Sequence, residues 1–506
     1  MYYDLLALLG GLLLPFAFAP FDYPALAVVA LMLLFAAWWN ASPGRAWLRG
    51  FLFGAGLFGV GASWVYVSMH NYGGASMAEA GGLTAFFALF WAMYPGFAGW
   101  LSARFFSGHG PVFKAIAVFP AAYTLAEWLR SWLPTGFPWL QAGYSQIDTP
   151  LGALAPVFGG YGVGWAVALV AGLSLALFRL AGNPRRLAAV SLMLLLGLCA
   201  ALGRVAWTEA AGEPFKVALL QGNIPQNMKW QPEFQRETLR MYTEMTREHW
   251  DARLIVWPET SVPAFYQQVK DTFFAELSAE AQRHGTDILV GVPFYDQGKD
   301  RYFNAIAGVG KTPGFYFKRH LVPFGEYVPL RPLLGWVLDI LQIPLADFES
   351  GDGGQAPLVA AGYPLAASIC YEDVFGQESL MGLPEAAFLV NVTNDAWFGD
   401  SIAPHQHVQM ARMRALETGR WMLRATNSGV TAIISDKGKL VARGPLFEKA
   451  RITGTITPMR GSTPYVFWGD MPVIMGVGLV LGISAWRRGL SAGGWFKRDG
   501  SPTKAL

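Results

Sequence analysis

The stretch Leu365-Ala366-Ala367-Ser368-Ile369-Cys370-Tyr371-Glu372-Asp373 is an apolar run that ends in a thiol followed by two carboxylates. A short apolar run closed by polar residues reads as a strand buried on both faces. Two other strand-like runs end in a comparable way. Leu254-Ile255-Val256-Trp257 leads through Pro258 into Glu259, and Phe315-Tyr316-Phe317 leads into Lys318. A thiol, a carboxylate and an ammonium at three strand ends can converge on one site. Together they supply a nucleophile, a general base and a cation for an oxyanion, which is the equipment of acyl transfer.

Outward from these ends, residues from about 213 to 460 have the pattern of a soluble α/β domain. Strands are expected at 217–221, 254–257, 288–292, 303–309, 314–318, 365–369, 387–392, 422–426, 430–434 and 452–456. Helices are expected near 233–249, 268–284 and 405–421. Alternating β and α runs with some hairpins indicate a layered α/β fold. The chain contains no G-x-G-x-x-G and no P-loop, so no nucleotide cofactor is expected.

The rest of the chain is of another kind. Only 14% of the 506 residues are charged, against about 25% in a soluble protein, and the deficit lies outside the α/β region. About eight membrane spans are expected, near 4–20, 24–40, 51–70, 81–103, 113–133, 157–178, 187–205 and 470–486. Ala17-Phe18-Ala19 has the form of a signal-peptidase site. Asp4 stands where a basic n-region would be, however, and Pro20 follows the cleavage point, so the first run reads as a retained span. Glu127 and Arg130 in the fifth run have the i, i+3 spacing of a local pair. The net charge of +3 is too small to suggest nucleic acid. Two cysteines give no disulfide framework, and Cys199, inside an apolar run, reads as a small buried residue.

Arg and Lys residues fall in alternate short loops. Arg45 and Arg49, Arg104 and Lys114, Arg179 with Arg185 and Arg186, and the tail with Arg487, Arg488, Lys497, Arg498 and Lys504 are basic, whereas 21–23 and 71–80 contain neither residue. The positive-inside rule then puts both termini in the cytoplasm and the α/β domain on the outer face, the periplasm of a two-membrane bacterium. The expected organisation is a seven-helix membrane domain over 1–206, a catalytic domain over 207–465, a transmembrane helix over 466–490 and a cytoplasmic tail over 491–506. No ATP is available in the periplasm, so an acyl donor there carries its own activated bond, as a phospholipid ester does.

The order Glu259, Lys318, Cys370 resembles the nitrilase superfamily. Gln221-Gly222-Asn223-Ile224-Pro225-Gln226, Trp257-Pro258-Glu259, Lys318 through Glu326 and Cys370-Tyr371-Glu372 stand in sequence between seven apolar runs and one, with Thr135-Gly136-Phe137-Pro138-Trp139 in a membrane-domain loop. The whole chain in this respect resembles the bacterial apolipoprotein N-acyltransferase family. That resemblance implies an α-β-β-α sandwich and no cofactor. It also implies a phospholipid acyl donor, typically phosphatidylethanolamine used at sn-1, and a diacylated apolipoprotein acceptor. Cys370 would carry a thioester, Glu259 would move protons, and Lys318 with the Tyr371 N–H would hold the oxyanion. Glu326 would support the site by pairing with Lys318. The alternative reading is a membrane-tethered amidase of nitrilase type that uses water.

Further residues carry less defined expectations. Glu372 is a supporting residue, as a structural ion-pair partner or a catalytic one. Trp230 lines the acyl or lipid path or packs in the core. Leu333 to Phe348, with Trp336, reads as a lid that dips into the lipid, or else as a core helix. His405 and His407 form an H-x-H pair, but no acidic or thiol partner follows at metal-ligand spacing, so hydrogen-bonding roles are expected and no metal.

Overall fold

The computed structural model describes residues 1–335 and 347–491. The expected lid residues from Trp336 to Ala346 and the tail after Ser491 lie outside the described residues.

Among the described residues fourteen strands run in chain order: β1 Thr208–Ala210, β2 Phe215–Gln221, β3 Leu254–Val256, β4 Asp287–Asp296, β5 Arg301–Val309, β6 Gly314–Phe317, β7 Leu358–Ala360, β8 Tyr363–Ile369, β9 Phe388–Thr393, β10 Met422–Thr426, β11 Ala432–Ile434, β12 Leu440–Arg443, β13 Ala450–Ile456 and β14 Met459–Gly461. β1 pairs with β14, and the other strands form two six-stranded sheets, β13-β2-β3-β4-β5-β6 and β12-β11-β10-β9-β8-β7. Each sheet has a parallel centre, β2-β3-β4 in one and β8-β9-β10 in the other. β5 reverses direction and β6 reverses again, so β6 ends at the same edge as β3.

Side-chain alternation along the strands explains the layering. Val217, Leu219, Val256 and Leu289 face Leu365, Ala367, Ile369 and Val390 in a core between the sheets. The intervening residues Ala218, Leu220, Ile255 and Val290 pack outward on Tyr242, Met245 and Leu277 from the helices Pro232–Arg247 and Ala275–His284. On the far side Ala366, Leu389 and Met422 pack on Val408, Ala411 and Ala415 of the helix Ala403–Thr418. The expected α-β-β-α order of layers is present. β1, β7, β12 and β14 were not expected, because runs of three or four residues at a sheet edge carry little periodic signal.

The helix Ala403–Thr418 is buried on nearly every face. Its other side, Ala403, Met410 and Met413, belongs to the same core as Phe35, Trp64, Phe137 and Trp139 of the apolar region. A helix apolar on several faces is one packed between layers.

An apolar helix occupies each of the eight expected places. Four of them, Met77–Phe105, Pro111–Arg130, Pro150–Arg179 and Gly182–Leu202, are long and apolar enough to cross a bilayer. The bent pair Pro43–Gly61 and Trp64–Tyr72 makes up to five. Tyr2–Ala17, Ala25–Trp38 and Met471–Trp486 are shorter, at 10–17 residues. Glu127 and Arg130 do not pair with each other as their spacing suggested. Glu127 accepts the Ala142 N–H at 2.9 Å, and Arg130 donates to the carbonyls of Trp139, at 2.6 Å, and Phe137. Both charged groups therefore hold the loop from Phe137 to Ala142, whose backbone groups have no helix to satisfy them.

Candidate active site

The ends of β3, β6 and β8 meet, as the three apolar runs suggested. Lys318 continues the ladder from β6, donating its N–H to the Asn304 carbonyl of β5 at 2.8 Å. Its ammonium is 1% exposed, 2.8 Å from Glu326 and 3.9 Å from Glu259. Asn304 bridges the carboxylates, donating to Glu259 Oε1 at 2.7 Å and Glu326 Oε1 at 3.2 Å. Glu326 also accepts the Val322 N–H at 2.8 Å. The pairing expected between Glu326 and Lys318 is present. The two buried carboxylates hold the Lys318 ammonium above its ordinary pKa despite the opposing effect of burial, so it stays charged.

Cys370 sits at the turn from β8 into a single 3₁₀ turn, Cys370–Val374, with φ of 52°. Positive φ is uncommon for a residue with a Cβ and is a form of strain that clusters at functional sites. Thr260, next to Glu259, has φ of 48°, and Phe324, between Lys318 and Glu326, has φ of 61°. Each of the three chain segments that carries a site residue therefore contains one strained position. Burial and the neighbouring Glu259 carboxylate push the Cys370 thiol well above the usual range, against the pull of Lys318. That direction favours the protonated thiol over the thiolate.

Glu372 is fully buried and has no ion-pair partner among the described residues. It accepts the N–H groups of Ile369 at 2.6 Å, Arg319 at 2.7 Å and His320 at 3.1 Å, and the Tyr316 hydroxyl at 2.9 Å. It fastens the chain after Lys318 to the turn that carries Cys370. Burial raises its pKa to about 7, opposed by these hydrogen bonds. Tyr371 turns away from the sandwich. Its hydroxyl donates to the Gly136 carbonyl at 3.2 Å, and its ring packs edge-on against Phe375. The residue after Cys370 is thus bonded to the Gly136–Trp139 loop of the apolar region. Trp230 is 50% exposed, which removes the core alternative. Trp336 lies outside the described residues.

Several residues were not foreseen. Asn304 is one; a polar residue inside the apolar run Ala305-Ile306-Ala307 and its preceding aromatics was the available signal. A buried network under Cys370 is another. His407 Nδ1 lies 2.9 Å from Asp395 and Nε2 2.8 Å from Asp373. Arg424 joins Asp373 at 2.7 Å, Asp395 at 3.1 Å and Asn391 Oδ1 at 2.6 Å, and Asn391 reaches the Cys370 carbonyl at 3.4 Å. The two aspartates raise the His407 pKa against burial, and His407 with Arg424 holds Asp395 down at about 2. Both His407 ring nitrogens are occupied by carboxylates, so the H-x-H pair serves hydrogen bonding. Lys229 is the third. It is 5% exposed and donates to the Glu259 carbonyl at 3.2 Å.

Paired sheets with a thiol, a carboxylate and an ammonium at their ends define a hydrolase-like domain of the nitrilase class, and residues 216–465 match the carbon-nitrogen hydrolase family model. Residues 10–173 match a second model, the apolipoprotein N-acyltransferase N-terminal domain. Proteins named apolipoprotein N-acyltransferase are similar over nearly the whole chain. The one from Methylococcus capsulatus is 58% identical over 98% of this chain and 99% of its own length. That from Nitrosomonas europaea is 45% identical over 92% and 93%, and that from Coxiella burnetii 41% identical over 93% and 97%. The chain belongs to the apolipoprotein N-acyltransferase family.

Proposed function

We propose that this chain moves the sn-1 acyl chain of a phospholipid, phosphatidylethanolamine being the expected donor, through a thioester on Cys370. The acceptor is the N-terminal amine of the diacylglyceryl-cysteine of an apolipoprotein. The membrane domain covers 1–206, the catalytic domain 207–465, and a last span 466–490, eight spans in all. The catalytic domain lies in the periplasm, with both termini on the cytoplasmic side of the inner membrane. The names of the relatives and both family models support the reaction class. The observation that carries the lipid-facing reading is the bond from Tyr371, beside the nucleophile, to Gly136 in the apolar region.

In the first half-reaction the Cys370 proton passes to Glu259 as Sγ attacks the ester carbonyl. The tetrahedral oxyanion is held by Lys318 and the Tyr371 N–H. Collapse expels the lysophospholipid, whose oxygen takes the proton back from Glu259. In the second half-reaction the acceptor amine attacks the thioester, Glu259 takes one proton, and the thiol re-forms with it. Two half-reactions at one thiol give ping-pong kinetics. Glu326 and Asn304 fix the position of Lys318 and Glu259, and Glu372 fixes the Cys370 turn.

Product analysis tests this. Purified full-length protein given phospholipid and a diacylated lipopeptide should yield N-acylated peptide and lysophospholipid in equal amounts. Steady release of free fatty acid, with no N-acyl product, would instead establish the water-using amidase or hydrolase reading.

A further inference from the structure

Charge is out of balance at the site. Glu259 and Glu326 are both carboxylates, and Lys318 lies 3.9 Å and 2.8 Å from them. One cation is shared between two anions before the reaction starts. Attack by Cys370 forms an Sγ–C bond, sends the carbonyl electron pair to oxygen and the thiol proton to Glu259. The charge leaves a carboxylate and appears on an oxyanion that competes with Glu326 for the same lysine.

Lys229 lies against this cluster, in the segment after the β2 strand. Its side chain is 5% exposed and its ammonium donates to the backbone carbonyl of Glu259 at 3.2 Å. An ammonium has three donors; this is the one hydrogen bond of Lys229 among the described residues, and no carboxylate lies within ion-pair distance of it there. The charges that act on it are those of Glu259 and Cys370, and burial takes its pKa down to about 8. Burying an ammonium with a single neutral acceptor is costly. A carbonyl alone does not call for a charge: a glutamine amide would satisfy it at less cost.

We propose that Lys229 is the second cation of the active site, and that its ammonium offsets the anion that develops at Cys370, first on sulfur and then on the substrate's carbonyl oxygen. The inference rests on Cys370 being the nucleophile of the proposed reaction. In this division Lys318 is held in place by its carboxylates and offers direct contact. Lys229 keeps its charge available because no carboxylate among the described residues lies within ion-pair distance of it.

The test uses the full-length protein in detergent micelles and two variants. Lys229→Gln keeps a donor for the Glu259 carbonyl and removes the charge, and Lys229→Arg keeps the charge. The readout is the rate of iodoacetamide alkylation of Cys370 against pH, followed at that residue by mass spectrometry. The other groups that face the thiol, Glu259, Lys318 and Asp395, are unchanged in both variants. The alkylation midpoint of Lys229→Gln should rise by about one unit or more, so that the rate below both midpoints falls about tenfold. Acyl loading from phospholipid should slow by at least as much. Lys229→Arg should restore most of both. A midpoint in Lys229→Gln equal to wild type, in protein that melts at the wild-type temperature, would overturn the inference. Should Lys229→Gln fail to fold, a wild-type alkylation midpoint in Lys229→Met would overturn it equally. Transfer activity in Cys370→Ala would mean that the thioester reading itself is wrong. An inactive Cys370→Ala together with unshifted midpoints would remove Lys229 alone.

Discussion

The two sheet edges that meet at the site are built in different ways. On the β3–β6 side Glu259, Asn304, Lys318 and Glu326 bond to one another, and their charges do not cancel. On the β8–β10 side Asp373 and Asp395 each bond to both His407 and Arg424, and all four are buried. The first edge carries the charges that the proposed reaction uses. The second uses charge to hold one backbone turn, that of Cys370, between the sandwich and the apolar helices. Removing charge from the first edge should therefore cost activity, and removing it from the second should cost folding.

Substitutions can break that contrast, beginning with the largest effect. Cys370→Ala should lose acyl transfer altogether and melt like wild type. Arg424→Met should lose about 3–5 kcal/mol of stability, because it leaves buried Asp373 and Asp395 with only the His407 ring between them. Tryptophan fluorescence during denaturation would measure this, and a stable but inactive Arg424→Met would erase the distinction between the edges. Lys318→Ala should lower the rate of acyl loading about 10²–10³-fold, as removal of one oxyanion donor does.

Acid sharpens the same comparison. The folded-state pKa of Asp395 is lowered to about 2 from an ordinary 3.8. The stability it contributes is present above pH 3.8 and is lost as pH falls towards 2, about 2 kcal/mol in all. Denaturant midpoints measured between pH 5 and 2 should show that loss in wild type. The smallest effect is expected at the link between the regions. Tyr371→Phe removes the hydroxyl that donates to Gly136 and keeps the ring, and should cost about 1 kcal/mol. A larger loss of lipid turnover than of stability would mean that the link positions the nucleophile.

The three reactive ends could be read from sequence because each follows an apolar run, and a charge or thiol there has nowhere to be but the end of a buried strand. Glu326 was found through the resemblance that spans Lys318 to Glu326. The network under Cys370 was not legible, since Asp373, Asn391, Asp395, His407 and Arg424 come from separate elements and no spacing rule joins them. Arg424 did leave a trace, as a charge inside Met422-Leu423-Arg424-Ala425-Thr426. Lys229 left none: beside Trp230 it looks like any surface lysine, and only the fold buries it while leaving the tryptophan outside. Glu127 and Arg130 show the limit of spacing arguments, because the loop they hold competes successfully for both.

The covalent route is tested most directly by the mass of Cys370 during a divided turnover. Wild-type protein given phospholipid without acceptor should gain one acyl chain at Cys370 and release one lysophospholipid. Adding a diacylated lipopeptide with its α-amine free should clear that mass and yield the N-acyl peptide, whereas an N-acetylated lipopeptide should leave it in place. An unmodified Cys370 under conditions where transfer to the lipopeptide proceeds, or full transfer by Cys370→Ala, would contradict the thioester and, with it, Glu259 as the proton carrier and Lys318 as the oxyanion's cation.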